Sequence, residues 1–148
     1  MLKQILTTII NSTAGLKYAI IIDDTGITIA SQSKFTFTED DHISVDKIGA
    51  IGGAVFTAGE EQGEILGYGG INLQITEYQK GMIFSIKLDN GALVLATDLN
   101  IQVGFIRALL KKWAPKIAKI LNRYLESADQ ESMKEELKEL FSTDSLGF

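Results

Sequence analysis

An α/β fold built on a five-stranded antiparallel sheet in the order 2-1-5-4-3 is what this sequence predicts, and three observations lead there. Asp23-Asp24-Thr25-Gly26 and Asp89-Asn90-Gly91 each separate two strand-like runs by a short loop of hairpin type. Ile20-Ile21-Ile22 and Ala92-Leu93-Val94-Leu95-Ala96 are apolar at every position, the mark of strands covered on both faces. Ile71-Asn72-Leu73-Gln74-Ile75-Thr76 instead alternates, with Ile71, Leu73 and Ile75 on one side only, as a half-covered strand near an edge does. Setting the two apolar runs side by side and attaching their hairpin partners gives the order.

The elements follow in turn. Leu2, Ile5, Leu6, Ile9 and Ile10 recur at helical spacing. A secretory leader would have an unbroken apolar core, whereas Gln4, Thr7 and Thr8 interrupt this one. The reading is therefore an amphipathic helix and a cytoplasmic location. Strands are expected over 18–22 and 27–32, then a long helix over 42–66 carrying Ile48, Ile51 and Val55. Three more strands are expected over 71–77, 82–88 and 92–97. Asn100 is a good N-cap residue for a last helix reaching about Glu126, with Ile106, Leu109, Leu110, Trp113, Ile117, Ile120, Leu121 and Tyr124 on its apolar side. Pro115 lies inside that helix and predicts a kink near Trp113. Beyond Ser127, Met133, Leu137, Leu140 and Phe141 form an apolar stripe beside Glu131, Glu135, Glu136 and Glu139. This is read as a further short acidic helix folded back on the protein's own surface, near the basic stripe, with a tethered recognition helix that docks in a partner's groove as the alternative, so the division is a domain over 1–126 and an extension over 127–148.

Composition removes several function classes. At 148 residues the chain is one ordinary domain, and a net charge of -5 is wrong for non-specific nucleic-acid binding. With no cysteine and one histidine, His42, neither a disulfide framework nor a soft metal site is expected. No phosphate-binding G-x-x-x-x-G-K-[ST] loop occurs, and Gly67-Tyr68-Gly69-Gly70 runs into a strand rather than a helix, so it reads as a turn. Asp23 and Asp24 sit where turn carboxylates bond their own backbone, and Glu60-Glu61 reads as a solvated stretch. Lys112, Lys116, Lys119 and Arg123 make one basic face, the solvent side of the helix or a surface for an anionic membrane or an acidic partner. Nothing assembles a nucleophile, a base and an oxyanion hole. No catalytic, cofactor or metal residue is assigned, and the chain reads as non-enzymatic.

Two features point instead to a partner. A free sheet edge is normally blocked by charge, proline or a bulge, yet Ile71, Asn72, Leu73, Gln74, Ile75 and Thr76 supply neither charge nor proline; either a loop or the C-terminal segment covers them, or they pair with the same strand of a second copy. The long helix contains Gly49, Gly52, Gly53, Gly59 and Gly63, although an interior glycine costs about 0.5 to 1 kcal/mol against alanine. Gly49, Gly53 and Phe56 share a face, which lets another backbone approach. That backbone is either the protein's own sheet or a second copy. In the latter case the expected dimer interface is residues 71–76 with Gly49, Gly52, Gly53 and Phe56.

The layout helix, hairpin, long helix, three-stranded meander and closing helix resembles the profilin-like roadblock/LC7 family. The likeness is carried by Ile21-Ile22-Asp23-Asp24-Thr25-Gly26-Ile27-Thr28-Ile29-Ala30, by the small-residue-rich stretch 48–58, and by Ala92–Ala96 followed by 100–110 with Val103-Gly104-Phe105-Ile106-Arg107. It spans about residues 1–126. The resemblance implies the long helix on one face of the sheet and the terminal helices on the other. It also implies a homodimer, or a dimer with a second roadblock protein, that binds a small Ras-like GTPase as regulator or scaffold. The polar positions Asp46, Thr57, Glu60 and Glu61 of the long helix are the candidate surface for that partner. A small-molecule-sensing domain and a profilin-like cytoskeletal adaptor are the alternatives.

Overall fold

The computed structural model describes the backbone of residues 1–34 and 39–146, with the side chains of 39–44, 129, 132 and 141–146 excluded. The expectations for the His42 and Phe141 side chains lie outside these described residues. The elements are α1 (Leu2–Ile10), β1 (Leu16–Asp23), β2 (Thr28–Ser33), α2 (Glu39–Leu66), β3 (Leu73–Glu77), β4 (Met82–Leu88), β5 (Gly91–Thr97) and α3 (Val103–Leu146). All neighbouring strands pair antiparallel, in the order β2-β1-β5-β4-β3. The expected topology is the observed one.

Alternation along the central strands divides the interior into two layers. Ile21, Leu93, Leu95, Phe84 and Ile86 point to one face, where α1 and α3 cover them with Leu6, Ile9, Ile106, Leu110, Ile117 and Leu121. Ile20, Ile22, Ala92 and Val94 point to the other, where α2 contributes Val45 and Ile48. The first layer is the larger, because two helices lie on it. The second covers only part of its face, since α2 sits over β1, β2 and β5.

Most boundaries shift from expectation by one to three residues, and three differences bear on the site. β3 begins at Leu73, leaving Ile71 and Asn72 in the approach to the strand, where Ile71 fills the space beside Gly59. α3 begins at Val103, because the Asp98 carboxylate accepts the Asn100 N–H at 2.7 Å and closes a turn before the helix starts. Finally, α3 is one continuous helix to Leu146, not a helix ending near Glu126 followed by a short one folded back. Between Pro115 and Gly147 the chain has neither glycine nor proline, and Leu, Glu, Lys, Ala and Met dominate 125–140. Pro115 is accommodated on the exposed side, where the carbonyl that loses its donor belongs to exposed Lys111 and can turn to water. None of the described helices is long and apolar enough to cross a membrane.

Candidate functional site

β3 is an edge strand whose outer side has no backbone partner among the described residues. Which groups it leaves open follows from its turn. The Tyr78 N–H donates to the Gly81 carbonyl at 2.7 Å, closing the β3–β4 hairpin. Hydrogen-bonded and non-bonded pairs alternate along an antiparallel ladder, so Thr76 and Gln74 bond inward to β4. The N–H and C=O groups of Leu73, Ile75 and Glu77 therefore point outward. Glu77, at the strand's end, is its one charge.

Both faces of this edge are open as well. On the α3 side a groove of about 530 Å³ runs past Ile71, Leu73 and Ile86 to Arg107 and Lys111. On the α2 side a cleft of about 230 Å³ lies between Ile51, Gly52 and Val55 of the helix and Gln74, Thr76 and Ile83 of the strands, with Tyr78 of the β3–β4 turn. The apolar surface continues along α2: Ile51 is 63% exposed, Val55 48%, Ile65 85% and Leu66 61%. Tyr68 and Tyr78 extend it at the two ends of β3. The exposed apolar area is thus contiguous with the open backbone row. Tyr68, Tyr78, Ile65 and Leu66 are not among the expected interface residues. The available signal was the apolar pair Ile65-Leu66 closing a helix beside a glycine turn.

The glycines resolve differently from the simple expectation of a single stripe. A Cβ on Gly49 would meet Thr28 Oγ1 at 2.9 Å and Ile22 Cγ2 at 3.0 Å, and one on Gly53 would meet Gly26 Cα at 3.0 Å. These two positions, with buried Phe56, dock α2 on the chain's own β1–β2 hairpin. Gly59 makes room for Ile71, and Gly63 for the Gly69 carbonyl. Gly52 alone faces looser space, its nearest neighbour Val94 Cγ2 at 3.9 Å. Of the small residues assigned to an interface, only Gly52 lines the open cleft.

The β1–β2 turn behaves as its sequence suggested. The Asp23 carboxylate accepts the Thr25 N–H at 2.9 Å, the Thr25 hydroxyl at 2.6 Å and the Ile27 N–H at 3.0 Å. Burial works against its charge, but these donors and the Gly26 N–H outweigh it, so its pKa lies below the ordinary 3.8. Gly26 takes a φ of 84°, which the turn requires. Thr57 and Glu60 line a cleft of about 420 Å³ with Asp23, Asp24, Lys87 and Asp89, and Glu60 pairs with Lys87 at 3.0 Å. Asp46 and Glu61 are exposed on the same helix but outside that cleft. Among the described residues no cluster of three or more His, Cys, Asp or Glu could hold a metal ion.

No family model matches the chain. Three uncharacterized proteins of Methanocaldococcus jannaschii are each 29% identical over 108 residues, 73% of this chain and 86 to 90% of theirs. Among solved structures, Myxococcus xanthus MglB superposes with a TM-score of 0.71 at 16% identity, covering 82% of this chain and 94% of its own. MglB in a tetrameric arrangement gives 0.70 at 17%, covering 81% and 87%. A roadblock/LC7 domain from Streptomyces avermitilis gives 0.66 at 14%, covering 84% and 97%. With the strand order, the two-layer core and these superpositions in agreement, the chain has the roadblock/LC7 fold.

Proposed function

We propose that this chain is a cytoplasmic, non-catalytic interaction module, which dimerises through β3 and α2 and presents the joined surface to a small Ras-like GTPase. One observation carries the assembly: the outward backbone row of Leu73, Ile75 and Glu77 lies against apolar surface on both faces. Adding a strand from a second copy satisfies the row, and the two-fold axis brings Ile51, Val55, Ile65 and Leu66 toward their equivalents. The tetrameric arrangement of MglB shows that this fold is compatible with higher assembly. The GTPase half of the reading rests on the family likeness. Thr57, Glu60 and Glu61, with Asp46 further along α2, are the surface assigned to it.

The test is capture from native extract on immobilised chain, with guanine nucleotide controls. Enrichment of a Ras-like GTPase with a non-hydrolysable GTP analogue, absent with GDP and lost for Thr57→Arg, supports the reading. Equal capture in both states, or none, contradicts it. A small-molecule reading has the Gln74, Thr76 and Ser85 cleft in its favour, and a ligand that raises the melting temperature of a monomeric Ile75→Pro variant would support that instead.

A further inference from the structure

Among the described residues, no side chain of α3 beyond Leu125 is buried against the domain. The last fully buried residue of the helix is Leu121, and beyond it Tyr124, Met133, Leu137 and Leu140 are exposed at 54%, 62%, 49% and 61%. A lone helical segment of about this length is marginal in water, more so with an apolar stripe facing solvent.

Charge divides the same helix in two. Residues 103–125 contain Arg107, Lys111, Lys112, Lys116, Lys119 and Arg123 and no acid, whereas 126–140 contain six acids and two lysines. A continuous helix rises about 1.5 Å per residue, so the centres of the two halves stand roughly 28 Å apart. The acidic half cannot reach the basic half of its own chain, but it can reach that of another.

The spacing supplies a register. Ala108, Lys112, Pro115 and Lys119, then Glu126, Gln130, Met133, Leu137 and Leu140, lie along one line of the helix, while Asn122 between them is held by Asn90 and Asp89 of the β4–β5 turn. Ala108 and Pro115 are exposed and small where Leu140 and Met133 are exposed and large. Two antiparallel helices crossing at Tyr124 set Leu140 on Ala108 and Met133 on Pro115. On one flank of that seam Lys111 then meets Glu136. Toward the other flank, Lys112 of the seam and Lys116 beside it lie over the Trp113 ring, at 5.5 Å and 5.0 Å from its centre.

We infer that the distal half of α3 docks antiparallel on the basic half of α3 in a second copy of this chain. This contact is distinct from the pairing of β3 strands, although Lys111 also lines the groove beside β3, and together the two would link dimers into larger assemblies.

The chain has no cysteine, so disulfide trapping reads the register directly. The double variant Ala108→Cys, Leu140→Cys places its thiols roughly 48 Å apart within one helix, too far for an internal bond. On mild oxidation it should run at twice the chain mass or more on a non-reducing gel, while either single variant stays monomeric there. The same trapping should persist with Ile75→Pro added, which separates this contact from the edge pairing. Lys111→Glu should slow trapping several-fold, and Lys111→Glu with Glu136→Lys should restore it. Absence of the cross-link in the double variant, or equal cross-linking of Ala108→Cys alone, overturns the proposal. So does a failure of the charge exchange to restore trapping when both variants keep the wild-type circular dichroism.

Discussion

The sheet has two edges, and they are finished in different ways. β2 carries Thr28, Ser31, Gln32 and Ser33, meets α1 on one face and α2 on the other, and has a register irregularity opposite Ile21/Ile22. Lys34 follows it and donates from Nζ to the Thr13 carbonyl at 2.5 Å, tying the edge to the loop after α1. β3 has none of these devices: no bulge, no covering helix, and apolar clefts on both faces. An edge flanked by helices on both faces offers a newcomer little apolar area. An open one offers backbone groups and apolar area together, and it is the second that makes strand addition favourable. The lesson is that an edge becomes an interface through what lies beside it, not through its hydrogen-bonding groups alone.

The largest expected effect comes from proline placed on each edge in turn. Ile75→Pro removes an outward donor without touching the β3–β4 ladder, and should raise the dimer dissociation constant by about 100-fold, from the roughly 1 to 3 kcal/mol that each acceptor left unpaired costs, once in each copy. Light scattering across a dilution series reads it. Ser31→Pro makes the matching change at β2, and should leave the mass distribution as it was. Next is the docking of α2 on the guarded hairpin. Gly49→Leu forces side-chain atoms into the space held by Thr28 and Ile22, and should lower unfolding free energy by about 1 to 3 kcal/mol in urea melts.

Smaller and opposite in sign, Gly52→Ala meets only Val94 at 3.9 Å, and should stabilise the Ile75→Pro monomer by about 0.5 to 1 kcal/mol. The smallest effect belongs to Asp23, which holds the turn of the guarded hairpin. Its folded pKa lies below the ordinary 3.8, so its contribution is complete above that value and is lost as pH falls through the lower folded one. Wild type should lose stability across that acid window, and Asp23→Asn should lose less of it.

Much of this was legible before any coordinates. Runs apolar at every position mark strands covered twice, which placed β1 and β5 at the centre, and two hairpin loops then determined their neighbours. The edge was legible for the same reason, since β3 alternates. The glycines of α2 were not, because spacing says that a backbone comes close without saying whose: Gly49 and Gly53 meet the chain's own hairpin, Gly52 the open cleft. The fate of residues 127–146 was hidden too. An acidic apolar-striped segment beside a basic one suggests a fold-back, but a stretch of strong helix formers with no breaker keeps α3 continuous through it. The absence of glycine between Pro115 and Gly147 was the overlooked signal.

Backbone hydrogen exchange at Leu73, Ile75 and Glu77 tests the edge pairing most directly, because their amides have no acceptor within the described chain. We expect all three to be protected at concentrations where the chain is dimeric, to lose that protection on dilution, and to exchange freely in the Leu73→Lys variant. Fast exchange of these amides in concentrated wild-type protein, with Gln74 and Thr76 still protected by β4, would contradict the assembly.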